Sequence, residues 1–361
     1  MRAAVLHEVG APLSIESGLR GADLAPSQVR LRVDASGVCH SDLSVANGST
    51  PMPLPMILGH EAVGTVIEVG RDVGKVRVGD RVITSFTPAC GACWFCVRDM
   101  TNLCESIPTA ERSVAVRAHT PSGDGLHAMA GLGAFADELI AEETMAVPVR
   151  SDRPAAQLAL IGCGVATGVG AALNTARVAP GATVAVFGCG GVGQAIVQGA
   201  RIAGAARIIA VDPVPLKRQT AHALGATESL DPSTGDVPAR LVELTDGRGV
   251  DYAFEAAGVP QLILDSFNAT RRGGAVVVVG MHPATATVTF PAAALFASER
   301  KILGCMYGST QVRRDFPRLV SLADAGRLDL ESLVSREIQL NEVNDAFRAM
   351  QAGEVIRSVI V

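Results

Sequence analysis

Four of the chain's cysteines crowd into one short stretch, spaced Cys90-x-x-Cys93-x-x-Cys96-x7-Cys104. Four thiolates on one loop can surround a single ion tetrahedrally, with zinc–sulfur distances near ~2.3 Å. Protein sulfur fills every position, leaving no place for water or substrate, so such a centre is structural. A disulfide framework belongs to short secreted chains, whereas this chain has 361 residues. A redox Cys-x-x-Cys pair is expected at a strand–helix junction, and this motif lies elsewhere.

A second motif, Gly188-Cys-Gly190-Gly191-Val192-Gly193, fits a dinucleotide. The spacing Gly-x-Gly-x-x-Gly says little alone. Here an apolar run at 183–187 precedes it, a helical pattern over 192–203 follows, and the next apolar run, 207–211, ends at Asp212. That is the full fingerprint. Gly188 permits the tight turn, Gly190 lets the backbone approach a pyrophosphate, and Gly193 lets helix and strand pack closely. The helix N-terminus presents free N–H groups and a partial positive charge to the phosphates. Asp212 can accept hydrogen bonds from both ribose hydroxyls and would repel a 2′-phosphate, which favours NAD over NADP. Lys217, one turn further, is placed to steady the same ribose.

The remaining cysteines are Cys39, Cys163, Cys189 and Cys305. Cys39 lies in Gly37-Val-Cys39-His40-Ser41-Asp42, His60 in Gly59-His60-Glu61, and Cys163 in Gly162-Cys163-Gly164. Spacing alone does not join these into one site. An isolated cysteine is usually a small buried hydrophobe. His7, His119, His127, His222 and His282 take the structural reading, although His119 precedes and His127 lies within a Gly-rich stretch, 122–133, that could line a substrate channel.

The elements that must carry these residues follow from periodicity. Val29, Leu31, Val33 and Ala35 alternate with Arg30, Arg32 and Asp34, a half-buried strand. Residues 62–69 and 80–85 repeat the pattern, so the first part is β-rich. From about 165 it gives way to strands at 183–187, 207–211, 250–255 and 275–280, alternating with helices at 192–203, 216–224 and 261–270. That alternation predicts a doubly wound parallel sheet. After about 305 it stops, with helices expected at 316–325 and 342–351 and a closing strand at 356–361.

Bulk properties agree with a globular protein. Hydrophobic residues make up 48% and charged residues 19%, which excludes a disordered chain. The net charge is −5 with both signs scattered, so no basic tract predicts nucleic acid or an anionic membrane as partner. No apolar run reaches the ~18–20 residues of a membrane span, and residues 1–10 lack the apolar core of a signal peptide. The expected location is cytoplasmic.

Taken together and in order, the segments around Cys39, His60 and Cys163, the four-cysteine loop, the 188–193 turn and the final Gly353-Glu-Val-Ile-Arg357 resemble the zinc-containing medium-chain alcohol dehydrogenases across nearly the whole chain. The resemblance is strongest to the bacterial branch that holds thiol-dependent formaldehyde dehydrogenases and aryl or terpenoid alcohol dehydrogenases. It implies a partly open, GroES-like β-barrel catalytic domain (1–165 and 305–361) and an inserted Rossmann domain (166–304), with the active site in the cleft between them.

The resemblance also implies roles. Cys39, His60 and Cys163 would bind a catalytic zinc, giving two zinc ions per chain with that of Cys90, Cys93, Cys96 and Cys104. Glu61 would lie behind the metal as an alternative ligand or nearby charge, and Asp42 would accept the other N–H of His60. Thr167, Val192, Val279, Cys305 and Tyr307, with the turn glycines including Gly191, would line the NAD site; Arg357 and His40 would meet the pyrophosphate. Zinc would lower the pKa of an alcohol hydroxyl, Ser41 would take its proton, and hydride would pass to NAD, giving aldehyde or ketone. Many relatives pass the proton on to a histidine three residues beyond the serine; here that position is Ser44.

Two other readings stand beside this one. A formaldehyde dehydrogenase acting on a thiol adduct would need extra positive charge for its anionic substrate, and Arg112 and Arg117 lie in the right stretch. A zinc-free, nucleotide-binding member of the superfold would not need Cys39, His60, Glu61 and Cys163 together. A homodimer or homotetramer is expected, with the apolar segments 276–279 and 288–290 continuing a sheet across a two-fold axis.

Overall fold

The computed structural model describes residues 1–107, 115–283 and 285–361. The chain divides into two compact units. One comprises Met1–Cys163, Gln311–Gly326 and Leu333–Val361; the other comprises Gly164–Thr310 and Arg327–Ser332.

The first unit is built on two sheets. In the larger, Ala146–Pro148, Arg81–Thr84, Glu61–Val69, Gln28–Gly37, Arg357–Ile360 and Val334–Ile338 lie side by side, and Glu138–Glu142 also pairs with Gln28–Gly37. The smaller runs Ser14–Glu16, Ala3–Leu6, Met56–Ile57, Gly125–Ala128, Val116–His119 and Arg20–Gly21. Both are open paths, and no closed barrel forms among the described residues. The alternation read from 29–35 holds: Val29 and Leu31 are buried against Val66, Val82 and Leu139, while Arg32 is exposed. Helix Val343–Gln351 buries Val343, Ala346, Phe347 and Met350, the i, i+3, i+4, i+7 stripe of an amphipathic helix, against Leu6, Met56 and Phe135. Among the described residues no single helix is long and apolar enough to cross a membrane.

The second unit holds a six-stranded parallel sheet in the order Glu228–Leu230, Arg207–Val211, Thr183–Phe187, Val250–Glu255, Thr270–Val278, Lys301–Gly304. In sequence terms this is 3-2-1-4-5-6, the Rossmann order, with its switch point between Thr183–Phe187 and Val250–Glu255. Within Thr183–Phe187 only the first residue is not buried, which is why the run reads as uninterrupted hydrophobics.

Three expectations need correction. The strand placed at 275–280 begins at Thr270, because Arg272 and Gly273 are exposed and carry no hydrophobic signal. The Gly-rich stretch 122–133 is not all loop: Gly125–Ala128 pairs with both Val116–His119 and Met56–Ile57. Residues 276–279 do not offer a sheet edge either. Val276 and Val277 are buried in a strand flanked on both sides, and the sheet ends instead at Lys301–Gly304.

Candidate functional site

The helix His40–Ala46 starts from Cys39, whose extended backbone (φ −120°, ψ 155°) makes it the N-cap. Asp42 closes this first turn, its Oδ2 accepting the Cys39 N–H at 2.8 Å. The same carboxylate reaches the segment before strand Glu61–Val69. Its Oδ1 accepts the Gly59 N–H at 3.2 Å and lies 2.9 Å from His60 Nδ1. Asp42 is fully buried, so these three contacts replace its water. Gly59 cannot be another residue: its φ is +93°, and a Cβ there would come 2.5 Å from the Phe135 nitrogen.

Three sequence-distant segments therefore converge. Cys39, His60, Glu61 and Cys163 each present a ligand atom, all four residues are buried, and these atoms lie within 4.8 Å of one another. Glu61 opens the strand Glu61–Val69 and ion-pairs with Arg357, the first residue of strand Arg357–Ile360. Its other oxygen, Oε1, is buried with no hydrogen-bond partner among the described residues. Two sulfurs, an imidazole and a carboxylate oxygen without a partner are a donor set that suits zinc.

The buried groups shift one another's ionisation. A hydrogen bond with Cys163, supported by His60, holds the Cys39 thiol well below its usual range against the effect of burial. Cys163 is pushed up in turn by Cys39 and by burial. Burial alone would lower His60, but Asp42 and Cys39 reverse that and leave it well above the ordinary imidazole value. Burial raises Glu61 to about 7 in spite of Arg357. Ser41 Oγ is 3.8 Å from Cys39 Sγ, at the rim of the cluster, and Ser44 follows one turn later in the same short helix.

The four-cysteine loop forms a second cluster with its ligand atoms within the same 4.8 Å limit. Its geometry is local. Backbone N–H groups of Cys90, Cys93 and Cys96 donate to the sulfurs of Cys104, Cys90 and Cys93 at 3.4 Å each, and Ser106 N–H donates to Cys104. The backbone N–H groups of Ala92 and then Cys93 lower Cys90 to about 6, whereas burial raises Cys96 to about 12. The knuckle exposes Trp94, whose ring lies 4.2 Å under the Arg98 guanidinium.

In the second unit, Gly190 caps helix Gly191–Ala203, and a Cβ built on it would meet nothing within 4 Å, so open space faces the backbone. Gly193 is required for packing, since a side chain there would strike the Gly188 carbonyl. Such a helix N-terminus could receive a phosphate group. Asp212 is buried at the end of strand Arg207–Val211 and accepts the N–H groups of Cys189 at 2.8 Å and Val214 at 2.9 Å, which leaves further lone pairs on each oxygen. Buried Cys189 is raised to about 12 by burial and is no nucleophile.

The other expected residues fall variously. Thr167 and Val192 are half-buried, and the intervening Gly168 lies against the Val192 carbonyl. Val279 N–H donates to the Glu255 carbonyl at 2.8 Å. Cys305 and Tyr307 are buried. Lys217 is half-buried, and it is its neighbour Arg218 that reaches the Asp212 carbonyl, at 2.6 Å. His40 is exposed. Arg357, expected at a pyrophosphate, is buried and ion-pairs with Glu61, a countercharge that a carboxylate in that interior needs. Arg117 is bound to Glu142 at 3.1 Å, so its charge is already met; Arg112 lies outside the described residues.

Sequence reasoning missed several contributors. The Phe86 ring stands edge-on to His60 at 5.9 Å, and Gln194 ties the Cys189 carbonyl to that of Lys217 at 2.8 Å each. His282, read as structural, sits 3.1 Å from the buried Glu255 at the switch-point strand. Gln194, two positions past Val192, was detectable as a polar residue on the buried face of its helix; the others leave no local signal.

Comparison with known proteins matches residues 25–151 to the alcohol dehydrogenase GroES-like domain and residues 191–325 to the zinc-binding dehydrogenase domain. An S-(hydroxymethyl)glutathione dehydrogenase of Synechocystis sp. is 37% identical over 99% of each chain. Among solved structures, an alcohol dehydrogenase zinc-binding domain protein from Burkholderia ambifaria superposes with a TM-score of 0.95 at 34% identity, covering 99% of this chain and 98% of the other. Benzyl alcohol dehydrogenase from Acinetobacter calcoaceticus gives 0.93 at 31% identity with the same coverage.

Proposed function

The chain belongs to the zinc-dependent alcohol dehydrogenase family, and from that premise we propose that it oxidises a primary or secondary alcohol reversibly to the aldehyde or ketone, with NAD as hydride acceptor. The observation that carries the reading is the buried set Cys39, His60, Cys163 and Glu61, with Glu61 Oε1 unpartnered. Cys39, His60 and Cys163 would hold the catalytic zinc, and Cys90, Cys93, Cys96 and Cys104 a structural one. Such a zinc supplies Lewis acidity that lowers the pKa of an alcohol hydroxyl, and the nicotinamide carries the redox change.

The chain's own residues do the rest. Asp42 fixes His60 in the tautomer whose Nε2 faces the cluster, since Nδ1 is committed to the carboxylate. Ser41 takes the hydroxyl proton at the cluster's rim. With serine at position 44, water or a differently placed base such as His40 would take the proton on from Ser41. Glu61 and Arg357 keep the charge behind the sulfurs balanced. Gly190 and the helix behind it would receive the pyrophosphate, and Asp212 the adenosine ribose, which selects NAD.

A second reading has a specific observation in its favour. The Synechocystis relative is named for S-(hydroxymethyl)glutathione, so a formaldehyde–thiol adduct is the competing substrate. A panel of aliphatic, terpenoid and benzylic alcohols with NAD, run beside formaldehyde with and without glutathione, tests both. Turnover of free alcohols supports the first reading, and formaldehyde turnover only with the thiol replaces it with the second. No dinucleotide reduction on any substrate, with one zinc per chain, would leave a nucleotide-binding protein.

A homodimer is part of the proposal. Among the described residues strand Lys301–Gly304 is paired on one side only, Ile302 on it is 36% exposed, and nearby Phe296 is 86% exposed. A second copy of the strand would continue the sheet across a two-fold axis. Light scattering at micromolar concentration should give at least twice the chain mass; a monomer refutes it.

A further inference from the structure

The turn after strand Lys301–Gly304 carries three successive residues with left-handed backbone: Tyr307 at φ +54°, Gly308 at +65° and Ser309 at +47°. Glycine adopts this conformation freely, whereas tyrosine and serine hold it only where their surroundings over-determine it.

The surroundings are one helix. Gly164–Gly170 runs into a π-helical turn, Ala171–Thr175. A π turn is a rare insertion that re-aims the side chains beyond it and recurs at functional positions. Here it aims Asn174 and Thr175 at the left-handed turn. Thr175 Oγ1 lies 2.8 Å from Ser309 Oγ and 3.3 Å from Cys305 Sγ. Asn174 Nδ2 donates to the Gly308 carbonyl at 3.2 Å. From the other end, Thr310 Oγ1 donates to the Ala166 carbonyl at 3.3 Å. The approach is close enough that a Cβ on Gly308 would strike the Ala166 carbonyl and come 2.7 Å from that of Thr167.

The same helix touches the dinucleotide turn. A Cβ on Gly168 would strike the Val192 carbonyl and the Ala195 side chain, at the start of helix Gly191–Ala203. The left-handed turn itself follows the carboxyl end of a parallel strand, the side on which such sheets bind their ligands. The phosphate cradle, the helix and the strained turn are thus packed in one continuous line. Neither Asn174 nor Thr175 is a member of either cluster, and neither has a part in the chemistry above.

We propose that Asn174 and Thr175 are positioning residues that clamp residues 307–309 in the left-handed shape which receives the nicotinamide dinucleotide. The inference rests on the reading of the second unit as the cofactor unit. Without the clamp the turn relaxes in the free protein, and the binding-competent fraction falls. Apparent affinity then falls by that same fraction.

Thr175→Val removes the hydroxyl at nearly constant size. In the full-length, zinc-loaded protein, the dissociation constant for NADH, read by nicotinamide fluorescence without alcohol, should rise by roughly tenfold or more. KM for NAD should rise with it while kcat at saturating NAD stays within about twofold. Thr175→Ser keeps the hydroxyl and should bind like the unaltered chain. Ser309→Ala removes the other end of the same hydrogen bond, should weaken NADH binding in the same direction, and decides the matter if Thr175→Val does not fold. Unchanged NADH affinity in the folded variants, with only the melting temperature moved, overturns the clamp alone. An unaltered chain that binds neither NADH nor NADPH overturns the cofactor reading and the clamp with it.

Discussion

Asp42 and His60, 18 residues apart, meet at 2.9 Å through a carboxylate that also holds the Cys39 and Gly59 backbones. One buried anion thus sets the orientation of a proposed zinc ligand and the start of the helix that presents another. Asp42→Asn places an NH₂ against one of three donors. Zinc affinity at the catalytic cluster should fall by roughly 10–100-fold, and stability by about 1–3 kcal/mol for the N–H left unsatisfied. Chelator competition and denaturant melts measure the two. Undiminished metal affinity would separate Asp42 from any zinc role.

The two sulfur clusters should respond differently to a single sulfur-to-oxygen change. Cys163→Ser is expected to abolish turnover while leaving NAD binding and melting temperature nearly intact, and metal analysis should fall from two zincs per chain to one. Cys96→Ser should instead lower stability by several kcal/mol, out of the roughly 10–16 kcal/mol a structural zinc supplies in small zinc domains. Identical behaviour of the two variants would refute the division of labour.

Asp212→Gly should narrow the preference for NAD over NADP, by on the order of tenfold, equivalent to ~1.4 kcal/mol. Because Asp212 also accepts the Cys189 and Val214 N–H groups, stability should drop at the same time. The ratio of kcat/KM for the two dinucleotides is the measurement; an unchanged ratio removes Asp212 from ribose selection.

Arg357→Ala leaves the Glu61 carboxylate buried and without its countercharge, which should cost about 3–5 kcal/mol of stability. If the guanidinium also serves a pyrophosphate, NADH affinity falls beyond what the stability loss predicts. Denaturation and NADH titration on the same variant separate the roles. Unchanged stability would show that the pair does not hold Glu61.

What could be read in advance was whatever the chain keeps local. The cysteine knuckle declares itself because all four sulfurs and their N–H donors lie on one loop, and the dinucleotide turn because strand, glycines and helix are contiguous. Cys39, His60 and Cys163 could not be joined by spacing; it takes the larger sheet and Asp42 to bring them together. The Glu61–Arg357 pair spans 296 residues and leaves no trace in either neighbourhood. Residues 276–279 misled because a strand buried between two others and an apolar edge strand share one composition. Strain at Tyr307 and Ser309 is a property of dihedral angles that no residue type announces.

The knuckle that carries Cys93 and Cys96 also carries Trp94, the single tryptophan among 361 residues. Indole emission from this protein therefore comes from one lobe, half open to solvent and stacked under Arg98. A fluorescence trace during chelation or unfolding follows the opening of that lobe alone. Set against circular dichroism of the whole chain, it times the loss of the proposed structural zinc site relative to the unfolding of the two units.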